Sequence, residues 1–167
     1  MEREIIQTLD GSTTIHLKEW DECYHSKHGA IQEAQHVFIK NGLSLFENQS
    51  VSILEIGFGT GLNAFITFLE AKKLNQTIDY VGVEAYPVSA AEVLAMNYVA
   101  ELNAGNEIQI FEKMHESNWD EKMLLLDFWA FFESLNLTIP TVALLQVHIQ
   151  EPFLSLPHKP TYSLHAL

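Results

Sequence analysis

The sequence predicts an α/β fold built around a parallel β-sheet. Three observations support this prediction. Short apolar segments alternate with amphipathic ones between residues 51 and 122, a turn with glycines at alternate positions follows the first apolar segment, and Glu84 ends the second. Strands that alternate with helices through short connections form parallel sheets with right-handed crossovers. The pattern is therefore typical of a Rossmann-like domain.

Residues 1–50 form an N-terminal segment of mixed polarity. A turn is expected at Asp10-Gly11-Ser12, and a polar stretch follows over residues 24–29. Apolar residues then recur at helical spacing from position 31 to 38, which predicts an amphipathic helix. The pair Asn41-Gly42 is a common signal for a helix C-terminus, so the helix should end there.

Residues 51–122 contain the predicted core, a βαβαβ unit. The expected elements are a strand at 51–56, a helix at 62–73, a strand at 78–84, a helix at 89–102 and a strand at 108–111. Each predicted strand is a short apolar run, whereas the predicted helices place apolar residues three and four positions apart. The unit predicts three parallel strands.

Residues 123–167 differ in composition from the rest of the chain. They contain no glycine, and Lys159 is their only Lys or Arg. We expect a helix at 123–136, a strand at 141–149 and an irregular end at 151–167, where prolines recur. A three-stranded parallel sheet leaves an open edge, which the strand at 141–149 or a second copy of the chain would cover.

The composition indicates one folded domain: 167 residues, of which 47% are hydrophobic and 19% charged. No apolar run reaches the ~18 residues of a membrane span, and the N-terminus lacks a signal-peptide pattern. We therefore expect a cytoplasmic protein without membrane contact. Cys23 is the only cysteine, which excludes an internal disulfide and a cysteine-based zinc cluster. The net charge of −13 argues against autonomous nucleic-acid binding, which requires Lys and Arg against phosphates.

The turn after the first strand carries the main functional signal. Gly57, Gly59 and Gly61 allow unusual backbone angles and a close approach of a ligand, and the helix that follows offers unpaired N–H groups. A dinucleotide-binding turn requires a small residue where Leu62 stands. With Glu55 two positions before the first glycine, the turn instead resembles motif I of class I S-adenosylmethionine-dependent methyltransferases.

This resemblance implies an S-adenosyl-L-methionine site at the turn. An acid at the tip of the second strand, here Glu84, can accept the ribose hydroxyls of an adenosyl group. The candidate cofactor-binding residues are Glu55, Gly57, Phe58, Gly59, Thr60, Gly61, Asn63, Glu84 and Ala85.

Further motifs, in order and spacing, resemble one family. They are the segments at 10–14, 24–30, 33–39, 54–63 and 83–87, together with His115-Glu116 and Trp119. They resemble the tRNA 5-methylaminomethyl-2-thiouridine methyltransferases, which comprise the N-terminal domain of the MnmC proteins and the stand-alone MnmD proteins. The match covers residues 8–122, so the C-terminal part, and with it the methyltransferase fold, is expected to be divergent or truncated.

The family resemblance implies methyl transfer to the aminomethyl nitrogen of a modified wobble uridine in tRNA. It also implies that residues 1–50 cover the cofactor and substrate pocket, with Tyr24, Ser26 and Glu33 as candidate pocket residues. The family's Asp-Ala-Phe motif, which carries the carboxylate expected near the reacting amine, is absent, so no catalytic residue is assigned. The histidines at 25, 28 and 36 lack other clustered ligands, so no metal is expected.

Two other functions remain open at this point. The chain could be a catalytically inactive or truncated remnant, which the missing motif and the acidic charge favour. It could also be a methyltransferase with a small-molecule or protein substrate, which the charge permits. A nicotinamide-dependent dehydrogenase fits least, because of Leu62.

Overall fold

The computed structural model describes residues 2–118 in full and the backbone of residues 122–125, 128–134 and 146–150. These residues form two β-sheets. One is an N-terminal antiparallel sheet of three strands, and the other is a mixed sheet of five strands. None of the helices in this described part is both long and apolar enough to span a bilayer.

The N-terminal sheet is built from β1 (Arg3–Gln7), β2 (Thr13–Leu17) and β3 (Glu22–Cys23). Its first two strands pair in an antiparallel register that sets Ile5 opposite Ile15. The sequence predicted only the turn between them. Ile15 and Leu17 are buried, which anchors this sheet to the rest of the domain.

The amphipathic helix expected after the polar stretch is confirmed. It begins as α1 (Ala30–Glu33) and continues as a π-helical segment over Ala34–Lys40, so it ends directly before Asn41-Gly42. A 3₁₀ turn follows over Leu43–Phe46. The helix buries Ala30, Ala34 and Phe38, which lie four positions apart and therefore share one helical face.

The five-stranded sheet has the order β6-β7-β5-β4-β8. Strands β4 (Ser50–Ile56), β5 (Thr77–Glu84) and β7 (Phe128–Ser134) run parallel. Strands β6 (Lys122–Leu125) and β8 (Gln146–Gln150) flank them in antiparallel orientation. The α/β fold with a parallel sheet is confirmed, and the Rossmann-like order of three parallel strands lies at its centre.

One face of β4 and β5 packs on the core. Along β4, Val51, Ile53 and Glu55 are buried while Ser52, Leu54 and Ile56 alternate with them on the exposed face. Helix α2 (Leu62–Lys73) packs against β5 and the π-helical segment, and nearly its whole N-terminal half is buried. Burying a large apolar side chain contributes roughly 1.5–3 kcal/mol, so this layer holds the glycine turn firmly.

Of the two elements predicted between β5 and β6, the helix was confirmed in part and the strand was wrong. The helix expected at 89–102 is interrupted, forming α3 (Ala90–Leu94) and α4 (Tyr98–Glu101), because Asn97 bonds to Thr13 of the N-terminal sheet instead of continuing the helix. The strand expected at 108–111 is the start of α5 (Ile108–Glu116), preceded by a 3₁₀ turn over Gly105–Glu107.

The strand prediction at 108–111 was wrong because the buried residues of α5 have helical spacing. Phe111 and Met114, three positions apart, face the core, whereas Ile108 is half exposed. Four residues with three apolar members are too short to distinguish a strand from a helix by periodicity.

The helix expected at 123–136 was also wrong, because its described residues, 123–125 and 128–134, belong to β6 and β7. The third parallel strand is therefore β7, outside residues 51–122. The strand expected at 141–149 is confirmed for residues 146–149 as part of β8, while residues 141–145 and the irregular end at 151–167 lie outside the described residues. Since β8 pairs with the edge of β4, the open edge that favoured self-association is covered there. Self-association itself stays a prediction.

Candidate functional site

The glycine turn joins β4 to α2 with three residues at positive φ. Gly57, Gly59 and Gly61 have φ values of 88°, 55° and 73°, which side chains other than glycine rarely allow. The N–H groups of Gly57 and Phe58 both donate to the carbonyl oxygen of Val83, at 2.8 and 3.1 Å. The turn is thereby tied to the end of β5, the edge of a parallel sheet where ligands usually bind.

Glu84 lies at that edge and contacts the turn directly. Its Oε2 accepts from the N–H of Gly59 at 2.8 Å, and its Oε1 accepts from the N–H of Tyr86 at 2.8 Å. Glu84 is only 6% exposed, and the half-buried Ala85 follows it. Each carboxylate oxygen has a second lone pair, so Glu84 can still accept two further hydrogen bonds.

Tyr24 covers the middle of the turn. A Cβ atom added to Gly59 would lie 3.1 Å from Cδ2 of Tyr24, so the ring packs against the bare glycine backbone. The N-terminal segment therefore reaches the turn, and its role in covering a cofactor and substrate pocket stays a prediction. Burial raises the pKa of the Tyr24 hydroxyl, so the group stays neutral.

A buried polar chain connects the N-terminal segment to the turn. Nε2 of His25 lies 3.3 Å from Oγ1 of Thr60, which lies 3.0 Å from the hydroxyl of Tyr98. Nδ1 of His25 is 3.9 Å from Oε2 of Glu33. Burial lowers the pKa of His25 to about 4, so the imidazole is neutral near pH 7 and bonds as one of its tautomers.

Ser26 and Glu33 shape the turn before α1. The N–H of Ser26 donates to Oε2 of Glu33 at 2.8 Å, and Oγ of Ser26 accepts from the N–H of His28 at 3.1 Å. The side chain of Glu33 is 43% exposed. These contacts place Glu33 next to His25 and Ser26.

Glu55 and Asn63, both predicted as cofactor-binding residues, lie in the interior beneath the turn. The side-chain amide of Asn63 donates to Oε1 of Glu55, and the hydroxyl of Tyr80 donates to Oε2. Burial raises the pKa of Glu55 to about 7, against the lowering effect of these two hydrogen bonds. In this arrangement the two residues contact each other and support the turn from below.

Phe58 and His115 pack against the last glycine. A Cβ atom on Gly61 would lie 2.8 Å from Nε2 of His115 and 3.0 Å from Cζ of Phe58. The two rings lie 5.5 Å apart between centroids. Burial lowers the pKa of His115 to about 4, and a hydrogen bond to the backbone of Thr60 opposes this shift.

Sequence reasoning missed the roles of several residues around the turn. His25 was considered only as a metal ligand, His115 entered only through a motif, and Arg3 and Tyr98 were not singled out. Each contacts the site from a distant part of the chain, so no local pattern indicates it. Among the described residues, no group of three His, Cys, Asp or Glu side chains is arranged to hold a metal ion.

The sequence is similar to several proteins named tRNA 5-methylaminomethyl-2-thiouridine biosynthesis bifunctional protein MnmC. The one from Idiomarina loihiensis is 37% identical over 83 residues, covering 44% of this chain and 14% of that protein. The one from Acidovorax sp. is 35% identical over 97 residues, covering 54% and 15%. The one from Leptospira borgpetersenii is 28% identical over 130 residues, covering 72% and 19%. The chain thus matches less than a fifth of the length of these relatives.

The fold is similar to the crystal structure of MnmC2 from Aquifex aeolicus. The TM-score is 0.64 at 20% sequence identity, and the match covers 81% of this chain and 43% of that one. No protein-family model matches the chain. The sequence and structural matches together confirm the resemblance to the MnmC proteins and the Rossmann-like fold.

Proposed function

We propose that this chain binds S-adenosyl-L-methionine at the glycine turn. We further propose that it acts in methyl transfer to the aminomethyl group of a modified wobble uridine in tRNA, converting 5-aminomethyl-2-thiouridine to 5-methylaminomethyl-2-thiouridine. The observation that carries the first part is the contact between Glu84 and Gly59. It places Glu84, whose carboxylate oxygens can accept further hydrogen bonds, beside the backbone of Gly59, which carries no side chain.

The residues at the turn fit this cofactor. Gly57, Gly59 and Gly61 expose backbone, and the N-terminus of α2 follows with N–H groups suited to a carboxylate. Glu84 is suited to the two ribose hydroxyls, with Ala85 leaving space next to it. Glu55 and Asn63 would act from beneath the turn, by holding its shape.

The bound cofactor would supply an electrophilic methyl group. The chain's own residues would orient the reactants and exclude water, because methyl transfer depends mainly on alignment of the amine with the carbon–sulfur axis. Tyr24 would form one wall of the pocket, with Ser26 and Glu33 at its rim. The exposed Glu33 would offer a carboxylate to an amine there.

The tRNA substrate is proposed from the names of the relatives, and a role in tRNA modification would place the protein in the cytoplasm.

A second function, a cofactor-binding remnant without catalysis, is favoured by two observations. The chain lacks an Asp-Ala-Phe motif, and its 9 basic residues against 22 acidic ones offer little to phosphates. A methyltransferase with a small-molecule amine as its substrate is compatible with the same charge.

Calorimetric titration with S-adenosylmethionine tests the cofactor site. We expect micromolar binding by the wild type and a loss of about 10-fold or more in affinity in Glu84→Gln, because a charge-assisted hydrogen bond is removed. Glu70→Gln is the matched control, since it removes the same charge from a half-buried position on α2, where Glu70 pairs with the exposed Lys73. Absence of binding by the folded wild type would refute the proposal.

Transfer of a labelled methyl group then separates the candidate functions. Labelling of tRNA that carries the aminomethyl group supports the tRNA methyltransferase. Labelling of a small amine without labelling of tRNA selects the small-molecule enzyme. Cofactor binding without any transfer identifies the remnant.

A further inference from the structure

Arg3 connects the N-terminal sheet to the segment that follows Glu84. Its Nη2 donates to the carbonyl oxygen of Tyr86 at 2.7 Å, and its Nη1 donates to the carbonyl oxygen of Pro87 at 3.3 Å. Nη1 also lies 3.3 Å from Oε2 of Glu92, in an ion pair whose side chains are both 18% exposed. One guanidinium group thus holds two successive carbonyl groups and the first turn of α3.

This contact acts on the same residue that holds Glu84. Tyr86 donates its N–H to Oε1 of Glu84 and accepts at its carbonyl oxygen from Arg3. The backbone of Tyr86 is therefore fixed on both sides. A change in the position of this residue would move one of the two donors that orient the Glu84 carboxylate.

Arg3 also contacts the aromatic ring that covers the glycine turn. Its Cζ lies 5.8 Å from the centroid of the Tyr24 ring, within the range of a cation–π contact. The same ring packs against Gly59. Arg3 therefore supports both the ring above the turn and the strand end beside it, without touching the turn itself.

We propose that Arg3 is a positioning residue for the adenosyl end of the bound cofactor, acting through Tyr86 and Tyr24. This inference rests on the proposed function, because it assumes that the cofactor binds between the turn and Glu84. The planar guanidinium of arginine has several N–H donors and can bond to two adjacent carbonyl oxygens at once. The ammonium of lysine is a point charge that cannot reproduce this arrangement.

The test compares two ligands in three variants. Affinities for S-adenosylhomocysteine and for methylthioadenosine, which lacks the amino-acid part, are measured by calorimetry for the full chain. We expect Arg3→Gln to weaken both ligands by the same factor, about 10-fold, and Arg3→Lys to recover only part of this loss. Lys18→Gln is the control, since it removes a cation from an exposed ion pair with Glu2 on the same sheet and should change affinity less than about 2-fold.

The comparison of the two ligands assigns the effect to the adenosyl end, whereas the melting temperature and the partial recovery in Arg3→Lys separate positioning from a general loss of structure. Equal weakening of both, with a melting temperature that leaves the protein folded, supports the inference. Wild-type affinity in Arg3→Gln, or weakening of S-adenosylhomocysteine alone, overturns it. If Arg3→Gln does not fold, the same comparison is made with Arg3→Lys. A folded wild type that binds neither ligand refutes the proposed function, and the inference fails with it.

Discussion

The side-chain amide of Asn63 donates a 2.9 Å hydrogen bond to Oε1 of Glu55, inside the domain. Glu55 is 1% exposed and also accepts from Tyr80 at 2.6 Å. These contacts join β4, α2 and β5 beneath the glycine turn. Glu55, which the motif predicts as a cofactor-binding residue, is buried beneath the turn, where its ionisation is costly.

Glu55→Gln should change how the stability of the protein depends on pH. The pKa of Glu55 is about 7 in the folded state, above its ordinary value of 4.5, so the folded state binds a proton more tightly than the unfolded one. Stability should therefore fall as pH rises from about 4.5 to 7, by up to roughly 3 kcal/mol. Urea unfolding at pH 5 and pH 7.5 should show this loss in the wild type and a smaller one in the variant. Identical losses of stability in the wild type and in Glu55→Gln would contradict the raised pKa of Glu55.

His25→Gln should have the opposite effect over a similar range. The folded pKa of about 4 lies below the ordinary 6.5, so the unfolded state takes up the proton first. The wild type should lose stability as pH falls from 6.5 towards 4, and the variant should lose less. The exposed His28, in the same segment, provides the control variant His28→Gln. Unfolding free energies measured across this range check the prediction, which fails if both variants follow the wild type.

Gly61→Ala should destabilise the domain. At φ +73° an L side chain is strained, and the new methyl group would lie 2.8 Å from Nε2 of the buried His115. The expected cost is about 2 kcal/mol or more. Gly105→Ala is the matched control, because no atom lies within 4 Å of its added Cβ. Thermal unfolding of both variants checks this prediction, which fails if Gly61→Ala is no less stable than Gly105→Ala.

Asp10→Ala should weaken the start of α1. Oδ2 of Asp10 accepts from the N–H of Gln32 at 2.9 Å, and Oδ1 accepts from the N–H of Ser12 at 3.0 Å. The carboxylate thus caps a helix from a distant turn, so its loss should cost about 1 kcal/mol. Glu47→Gln, at an exposed site, is the control for charge.

The same carboxylate makes a separate pH prediction. Burial alone would raise the pKa of Asp10, but its hydrogen bonds to Ser12, Thr8 and Gln32 together lower it to about 2. The stability that Asp10 contributes is therefore present above pH 4 and lost as pH falls towards 2. The unfolding free energies of the wild type and Asp10→Ala, measured between pH 5 and pH 2, should therefore become equal as the pH falls. A difference that stays constant over this range would refute the contribution.

The sequence was sufficient for the part of the fold whose signals are local. The strand at 51–56, the turn, the helix at 62–73 and the strand at 78–84 are continuous in sequence, and each has its own periodicity. The same continuity placed Glu84 at the tip of the second strand, in one predicted cofactor site with the turn, because the carboxyl ends of neighbouring parallel strands meet at one edge. This part of the candidate site was therefore accessible before the structure.

The remaining elements depend on tertiary contacts that no short window contains. Residues 3–7 form a strand because they pair with β2 and reach Tyr86 through Arg3. Residues 108–111 are helical because Phe111 and Met114 pack together on the core. His25 belongs to the site only through Thr60, which lies 35 positions further along the chain.

The contact between Thr13 and Asn97 has a consequence for the order in which the chain folds. The two residues are 84 positions apart, and similar distances separate Arg3 from Tyr86 and Pro87. Ribosomes add about 5–20 residues per second, so the N-terminal strands wait roughly 4–17 s for these partners to be synthesised. During that interval the N-terminal strands lack the residues that they contact in the folded protein, Tyr86, Pro87 and Asn97. Chaperone binding to the growing chain should therefore be strongest before Asn97 emerges.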